Sequence, residues 1–169
     1  THVSLEVGIT YPTMGVSGFF TQTKNEIRPT VRDYGDYFMT TNANIEETER
    51  FGLQAYKTVN MTSQTRLHTA YSFTEAKSAE GLDKDKHLPG VPQHVVSLAL
   101  KHQHNSAFTS TFDWRYQSAS YALNDHQNLY DRHGEYAVAD YALNYKHKGF
   151  RGGIRINNLF DTRYNLYHI

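Results

Sequence analysis

The sequence predicts an all-β chain of about eight antiparallel strands, patterned as the wall of a transmembrane β-barrel. Three observations carry that expectation. Apolar and polar residues alternate with period two along most of the chain. Short turns alternate with long polar connections. Aromatic residues sit at the ends of the apolar faces.

The alternation is plain from the start. Val3, Leu5, Val7, Ile9 and Tyr11 share one face of an extended chain, and Ser4, Glu6, Gly8 and Thr10 share the other, because successive strand side chains point to opposite sides. Less regular strand runs follow at 16–28 and 51–59. Next, Leu67, Thr69, Tyr71 and Phe73 oppose Arg66, His68, Ala70 and Ser72, and Val96, Leu98 and Leu100 oppose Ser97, Ala99 and Lys101. Phe108, Phe112, Trp114 and Tyr116 oppose Asp113, Arg115 and Gln117. Ala139, Tyr141, Leu143 and Tyr145 oppose Asp140, Asn144 and Lys146, and the last run sets Phe150, Ile154 and Ile156 against Arg151, Arg155 and Asn157. Many runs are near the ~10 residues that a tilted strand needs to cross a bilayer. Convincing helical periodicity is missing, and the acidic segment 44–49 is the nearest candidate.

The turns at 12–15, 60–63, 105–107 and 147–149 are short, whereas 28–44, 75–92 and 118–135 read as long polar loops. Outer-membrane barrels sort their connections by end in this way. A charged polar face alone would also suit the solvent face of a soluble sandwich. The aromatic ends (Tyr11, Phe73, Trp114, Tyr116, Tyr145, Phe150) match the girdles that settle at lipid headgroups.

Composition narrows the classes. Mean hydropathy is −0.66 and hydrophobic content 38%, yet aromatics reach 14%, which argues against a disordered chain. No run of ~18 apolar residues could form a transmembrane helix. Seventeen basic and seventeen acidic residues cancel, leaving no basic footprint for nucleic acid. Cysteine is absent, so there is no disulfide frame, thiol nucleophile or thiolate metal site.

Several segments resemble the TonB-dependent outer-membrane receptors, in family order and over almost the whole chain. "RINNLFDTRY" is similar to their penultimate-strand "N-N-L-F-D-x-x-Y" signature, and "LPGVPQHVVSLAL" to the "lPgvPrH" run before a descending strand. "NIEETERFGLQAY" resembles the "N…GvElel" segment, with Gln54 where an acid is usual. "FFTQTKNEI", "FDWRYQSASYALNDHQN" and "YAVADYALNY" resemble three further segments. These receptors are barrels of about 22 strands with a plugged lumen. The resemblance therefore implies that residues 1–169 are the C-terminal portion of such a barrel. The plug, its TonB-contacting segment, the first barrel half and the final strand are expected outside the chain, because bare strand edges in lipid cost several kcal/mol per unpaired group.

Within "NNLFD", Asn157 falls on the inward parity and Asn158 on the outward one. Asn and Asp leave a ladder readily and start turns, so Asn157, Asn158, Leu159, Phe160 and Asp161 are expected to lock the strand end, with Asp161 and Arg163 tying the loop. Pro89 and Pro92 are expected to stop a loop before the next strand.

The candidate ligand-binding residues are His87, Tyr121, His126, Tyr130, Arg132 and His133, all in the long loops. Tyr and His supply stacking, and Arg supplies charge for an anionic chelate. Set against this is an ordinary solvated loop. His102 and His104 alternate on the apolar parity, where a metal or an interfacial belt could use them, and His68 lies on the lumen parity. No metal site or resident cofactor is expected. No nucleophile elbow, phosphate loop or carboxylate pair marks an enzyme. The resemblance implies a TonB-energised receptor in a Gram-negative outer membrane, importing a scarce iron chelate, another metal complex or cobalamin, with the 115–128 run most similar to ferric siderophore or ferric citrate receptors. Its expected partners are TonB, the iron chelate and lipid. The alternatives are a small stand-alone barrel (pore, adhesin or lipid enzyme) and a soluble β-sandwich binding module.

Overall fold

The computed structural model describes residues 1–33, 35 and 37–165. They form one eight-stranded antiparallel sheet in sequence order: β1 (His2–Tyr11), β2 (Met14–Asp33), β3 (Phe38–Asn60), β4 (Thr65–Ser78), β5 (His94–Gln103), β6 (Phe108–Gln117), β7 (Tyr136–His147) and β8 (Phe150–Ile156). No helix occurs among the described residues. β1 pairs with β2 alone and β8 with β7 alone, so the sheet is an open, single-layered barrel segment. A small closed barrel would join β1 to β8.

Register explains why the pattern works. One ladder row reads Ile9, Val16, Ala55, Tyr71, Val96, Tyr116 and Ala137 across seven strands. The adjacent row reads Thr10, Gly15, Tyr56, Ala70, Ser97, Arg115 and Val138. A one-residue slip in any pair would put polar groups on the apolar face. That face is bare: Val7 is 69% exposed and Ile154 70%. A soluble sandwich would cover it with a second sheet, and none exists among the described residues. Lipid is the environment in which such a face is stable.

Two expectations are corrected. The stretch 28–44 is not a long loop, because the β2–β3 ladder runs through it to the pair Asp33–Phe38. The segment 44–49 is strand within β3, with Glu47 opposite Lys24 and Glu49 opposite both Gln22 and Lys77. These ribbons lack the alternation of apolar and polar residues because they stand clear of lipid. Twenty residues of β2 extend roughly 66 Å, against a hydrocarbon core of about 30 Å. The apolar outward rows stop at Phe20, Phe51 and Phe73, and the next outward residues are Gln22, Glu49 and Glu75.

The buried residues are few and lie mostly above this band. Ala76, Leu88 and Tyr136 are covered where the long connections fold onto the strand ends, and Ala139 and Ala142 lie on β7. The connections after β1, β3, β5 and β7 are short and fall at one end. The tip of the β2–β3 ribbon and the connections after β4 and β6 fall at the other.

Candidate functional site

The connection after β4 (79–93) turns back onto its own strand. Ser78 N–H donates to the Lys86 carbonyl (3.0 Å), Leu88 N–H to Ala76 (2.9 Å), and His87 bridges to Lys77. The connection after β6 (118–135) closes a similar short ladder, with Ser120 and His133 exchanging two backbone bonds of 2.9 Å. At its tip the buried Asp125 carboxylate accepts the backbone N–H groups of Leu129 (2.8 Å) and Tyr130 (3.1 Å), a local turn that Asp is suited to cap.

The two connections then lock together. The Asn128 side chain accepts the His87 backbone N–H (2.7 Å) and donates to the His87 carbonyl (3.0 Å). Gly90 N–H donates to the Tyr121 carbonyl (2.9 Å). Gly90 has φ +70°, and a Cβ there would lie 2.7 Å from Leu123, so glycine alone permits this approach.

Around this seam three of the predicted residues meet. The rings of His87 and Tyr121 stack at 5.8 Å, and the Arg132 guanidinium lies 4.9 Å from the centre of the Tyr121 ring. Arg132 also donates to Gln93, and Gln93 donates to Glu75. The Glu75 carboxylate takes Lys77 at 2.9 Å and His87 Nδ1 at 3.3 Å. Burial holds the pKa of His87 below its ordinary value. Glu75 opposes the shift, while Arg132 and Lys77 push it further down.

The other candidates lie elsewhere. His126 and Tyr130 line a separate cleft of about 500 Å³ with Leu82, Asp83 and Asn124. His126 Nε2 is buried there without a hydrogen-bond partner. His133 contributes its backbone to the Ser120 bridge, and its side chain is exposed. Sequence reasoning passed over Glu75, Gln93 and Asn128. Nothing local marks them, since their partners lie mostly on other strands and loops.

Beyond β8, Asn158 takes φ +51°. Its N–H donates to the Asp140 carboxylate (2.8 Å), and its side chain brackets Thr162, accepting the N–H (2.9 Å) and donating to the carbonyl (3.0 Å). Leu159 N–H reaches the Ala139 carbonyl (2.6 Å). Phe160 is 68% exposed, and Asn157 and Asp161 are exposed. The tie across this turn is Asn158–Thr162 in place of the expected Asp161–Arg163. Among the remaining histidines, His68 bonds Thr58 (2.9 Å) on the inner face, while His102 and His104 bond Thr65 (2.8 Å) and Ser110 (3.0 Å). Among the described residues no group of three or more His, Asp or Glu is placed to hold a metal.

The family model "TonB dependent receptor-like, beta-barrel" matches residues 1–159. The chain belongs to this family. TonB-dependent receptors are proteins of the Gram-negative outer membrane, which is the lipid that the bare outer face meets. Solved structures that share the fold include the copper transporter OprC (TM-score 0.79, 16% identity, 99% of this chain and 27% of that one), the ferric yersiniabactin uptake receptor FyuA from Yersinia pestis (0.72, 17%, 98% and 26%) and the ferric-catecholate import receptor Fiu from E. coli K12 (0.68, 21%, 97% and 24%). No curated protein sequence matches. The chain spans about a quarter of the length of the solved receptors it resembles.

Proposed function

We propose that residues 1–169 are the C-terminal portion of the barrel of a TonB-energised receptor that imports a metal chelate. The cargo class is a ferric siderophore or ferric-citrate-type complex. The observation that carries this reading is the two-faced sheet. Its outer rows are apolar, its inner rows carry Glu6, Arg66, Lys101, Asp113, Arg115, Asp140 and Arg155, and the family model covers it to residue 159. Such an inner face suits a lumen that holds a polar plug, supplied in this reading by residues outside the chain together with the TonB-contacting segment. The protein is a transporter in this reading and catalyses no reaction. At the mouth, His87, Tyr121 and Arg132 form one ligand-facing cluster, with His126, Tyr130 and His133 beside it.

The test is uptake of radiolabelled iron, offered as a panel of ferric siderophores and ferric citrate, by cells carrying the full-length receptor with and without TonB. Uptake of at least one chelate that stops without TonB is expected. Uptake independent of TonB would overturn the mechanism, and transport of cobalamin but no iron chelate would overturn the cargo class. Arg132→Ala or His133→Ala should weaken chelate binding. Unchanged affinity in both would remove the mouth assignment.

A further inference from the structure

The inner face has a second charged feature, at the opposite end from the loops. One ladder row reads Asn60, Arg66, Lys101, Thr111, Ala142 and Arg155. Arg66 and Lys101 are direct cross-strand partners, and Lys146 faces Arg151 four residues nearer the short turns. Like charges placed directly opposite each other destabilise a sheet. Among the described residues no carboxylate forms an ion pair with any of these five cations. The next row toward the loops holds Asp113 opposite Asp140, but neither closes to within ion-pair distance of the basic row.

The Arg66–Lys101 pair also has a built niche. A pocket of about 200 Å³ is lined by both cations with Asn60, Gln64, Thr65 and Gln103, room for roughly seven water volumes. Asn60 Oδ1 accepts Arg66 Nε at 3.0 Å. That contact fixes the guanidinium and leaves its terminal nitrogens free to form a bidentate pair with an oxyanion. The backbone around the niche is pinned by the Gln103 N–H to Gln64 carbonyl bond (2.8 Å). Arg155, three strands away, adds positive potential from roughly 14 Å.

We infer that this niche is a binding site for a small oxyanion, a carboxylate or phosphate group, at the short-turn end of the lumen wall. Arg66 supplies a fixed fork and Lys101 a mobile point charge, with the amides of Asn60 and Gln103 at the rim. The site is distinct from the loop cluster at the mouth and does not depend on which chelate the receptor carries.

The test is calorimetric titration of the purified full-length receptor in detergent at low salt, with citrate in one arm and inorganic phosphate in the other. Saturable binding in at least one arm is expected, and the arm that saturates identifies the source chemistry. Arg66→Gln together with Lys101→Gln should weaken it by about tenfold or more, since a hydrogen bond to a charged group is worth about that much. Arg66→Lys should lose part of the affinity, and Lys57→Gln, which removes a cation from the outer face at the same end, should leave it unchanged. Heat-modifiable mobility confirms that each variant folds. Silence in both arms with wild type would overturn the site. Equal binding by wild type and the folded double variant would overturn it as well.

Discussion

Asn128 holds His87 by both ends of the peptide unit, accepting its N–H at 2.7 Å and donating to its carbonyl at 3.0 Å. One side chain thus does for two loops what a ladder partner does for a strand. Removing it leaves a half-buried donor and acceptor unpaired, at roughly 1–3 kcal/mol. Asn128 also sits at φ +55°, which asparagine tolerates better than alanine. Asn128→Gly keeps the backbone and deletes the clamp, so it isolates the hydrogen bonds. Hydrogen exchange on the full receptor should show the His87 amide exchanging faster by about tenfold in this variant. Unchanged protection would mean that the clamp contributes nothing.

His87 makes the same seam sensitive to acid. Its imidazole packs against Tyr121 and faces Glu75, Lys77 and Arg132, and burial is the main reason its folded-state pKa is depressed. A depressed histidine means that the unfolded loop binds protons more readily than the folded one. Loop stability is therefore complete above the unfolded value of about 6.5 and declines as pH falls below it toward the folded pKa. Limited proteolysis of the 79–93 connection should accelerate between pH 7.5 and pH 5.5. His87→Gln should flatten the profile, and an equally steep profile in that variant would assign the effect to another group.

Much of the wall was legible in the sequence, because a period of two has a single physical cause. The parity of Val3–Tyr11, of Phe112, Trp114 and Tyr116, and of Ile154 and Ile156 follows from apolar residues facing lipid, and the register shows each on the outer rows. The reading failed at 28–44, where neither face needs to be apolar once the ribbon leaves the bilayer, so alternation vanishes while pairing continues. The loop cluster was half legible. Tyr121 and Arg132 share a loop and could be grouped, but Gln93 lies 39 residues from Arg132 and His87 lies 41 from Asn128. Contacts at that separation are set by which strands are neighbours. Adjacency in sequence placed His126 beside Tyr121, whereas the Ser120–His133 bridge and the Asp125 turn send it to a different cleft.

Gly52 is the wall position with least room. A Cβ there would lie 2.1 Å from the Phe73 carbonyl oxygen and 2.7 Å from the Phe19 ring. The ring could turn, but the carbonyl belongs to the β4 backbone, so Gly52→Ala must spread the β3–β4 ladder. Overpacking of this kind costs about 1–3 kcal/mol or more. Gly18, on the adjacent strand, meets nothing nearer than 3.8 Å. Heat-modifiable mobility should show a reduced folded fraction for Gly52→Ala and a normal one for Gly18→Ala. Equal folding of the two would mean that the strands accommodate the methyl group.

Leu98 and Ala99 are neighbours in the chain and point to opposite sides of the sheet. Leu98 lies between Thr69 and Trp114 on the outer face, while Ala99 lies between His68 and Asp113 on the inner one. An arginine at 98 would put its charge into lipid near the middle of the band, at a cost of about 2–4 kcal/mol. An arginine at 99 would stand directly opposite the Asp113 carboxylate, in a lumen where charge is solvated and a cross-strand ion pair is favourable. The two substitutions have the same chemistry and differ by one residue, so helix or strand propensity cannot account for a difference between them. Leu98→Arg should lower the yield of folded receptor in the outer membrane, and Ala99→Arg should leave it near wild type. The reverse ranking would put the apolar rows inside and the charged rows outside, and the sheet could then not be the wall of a membrane barrel.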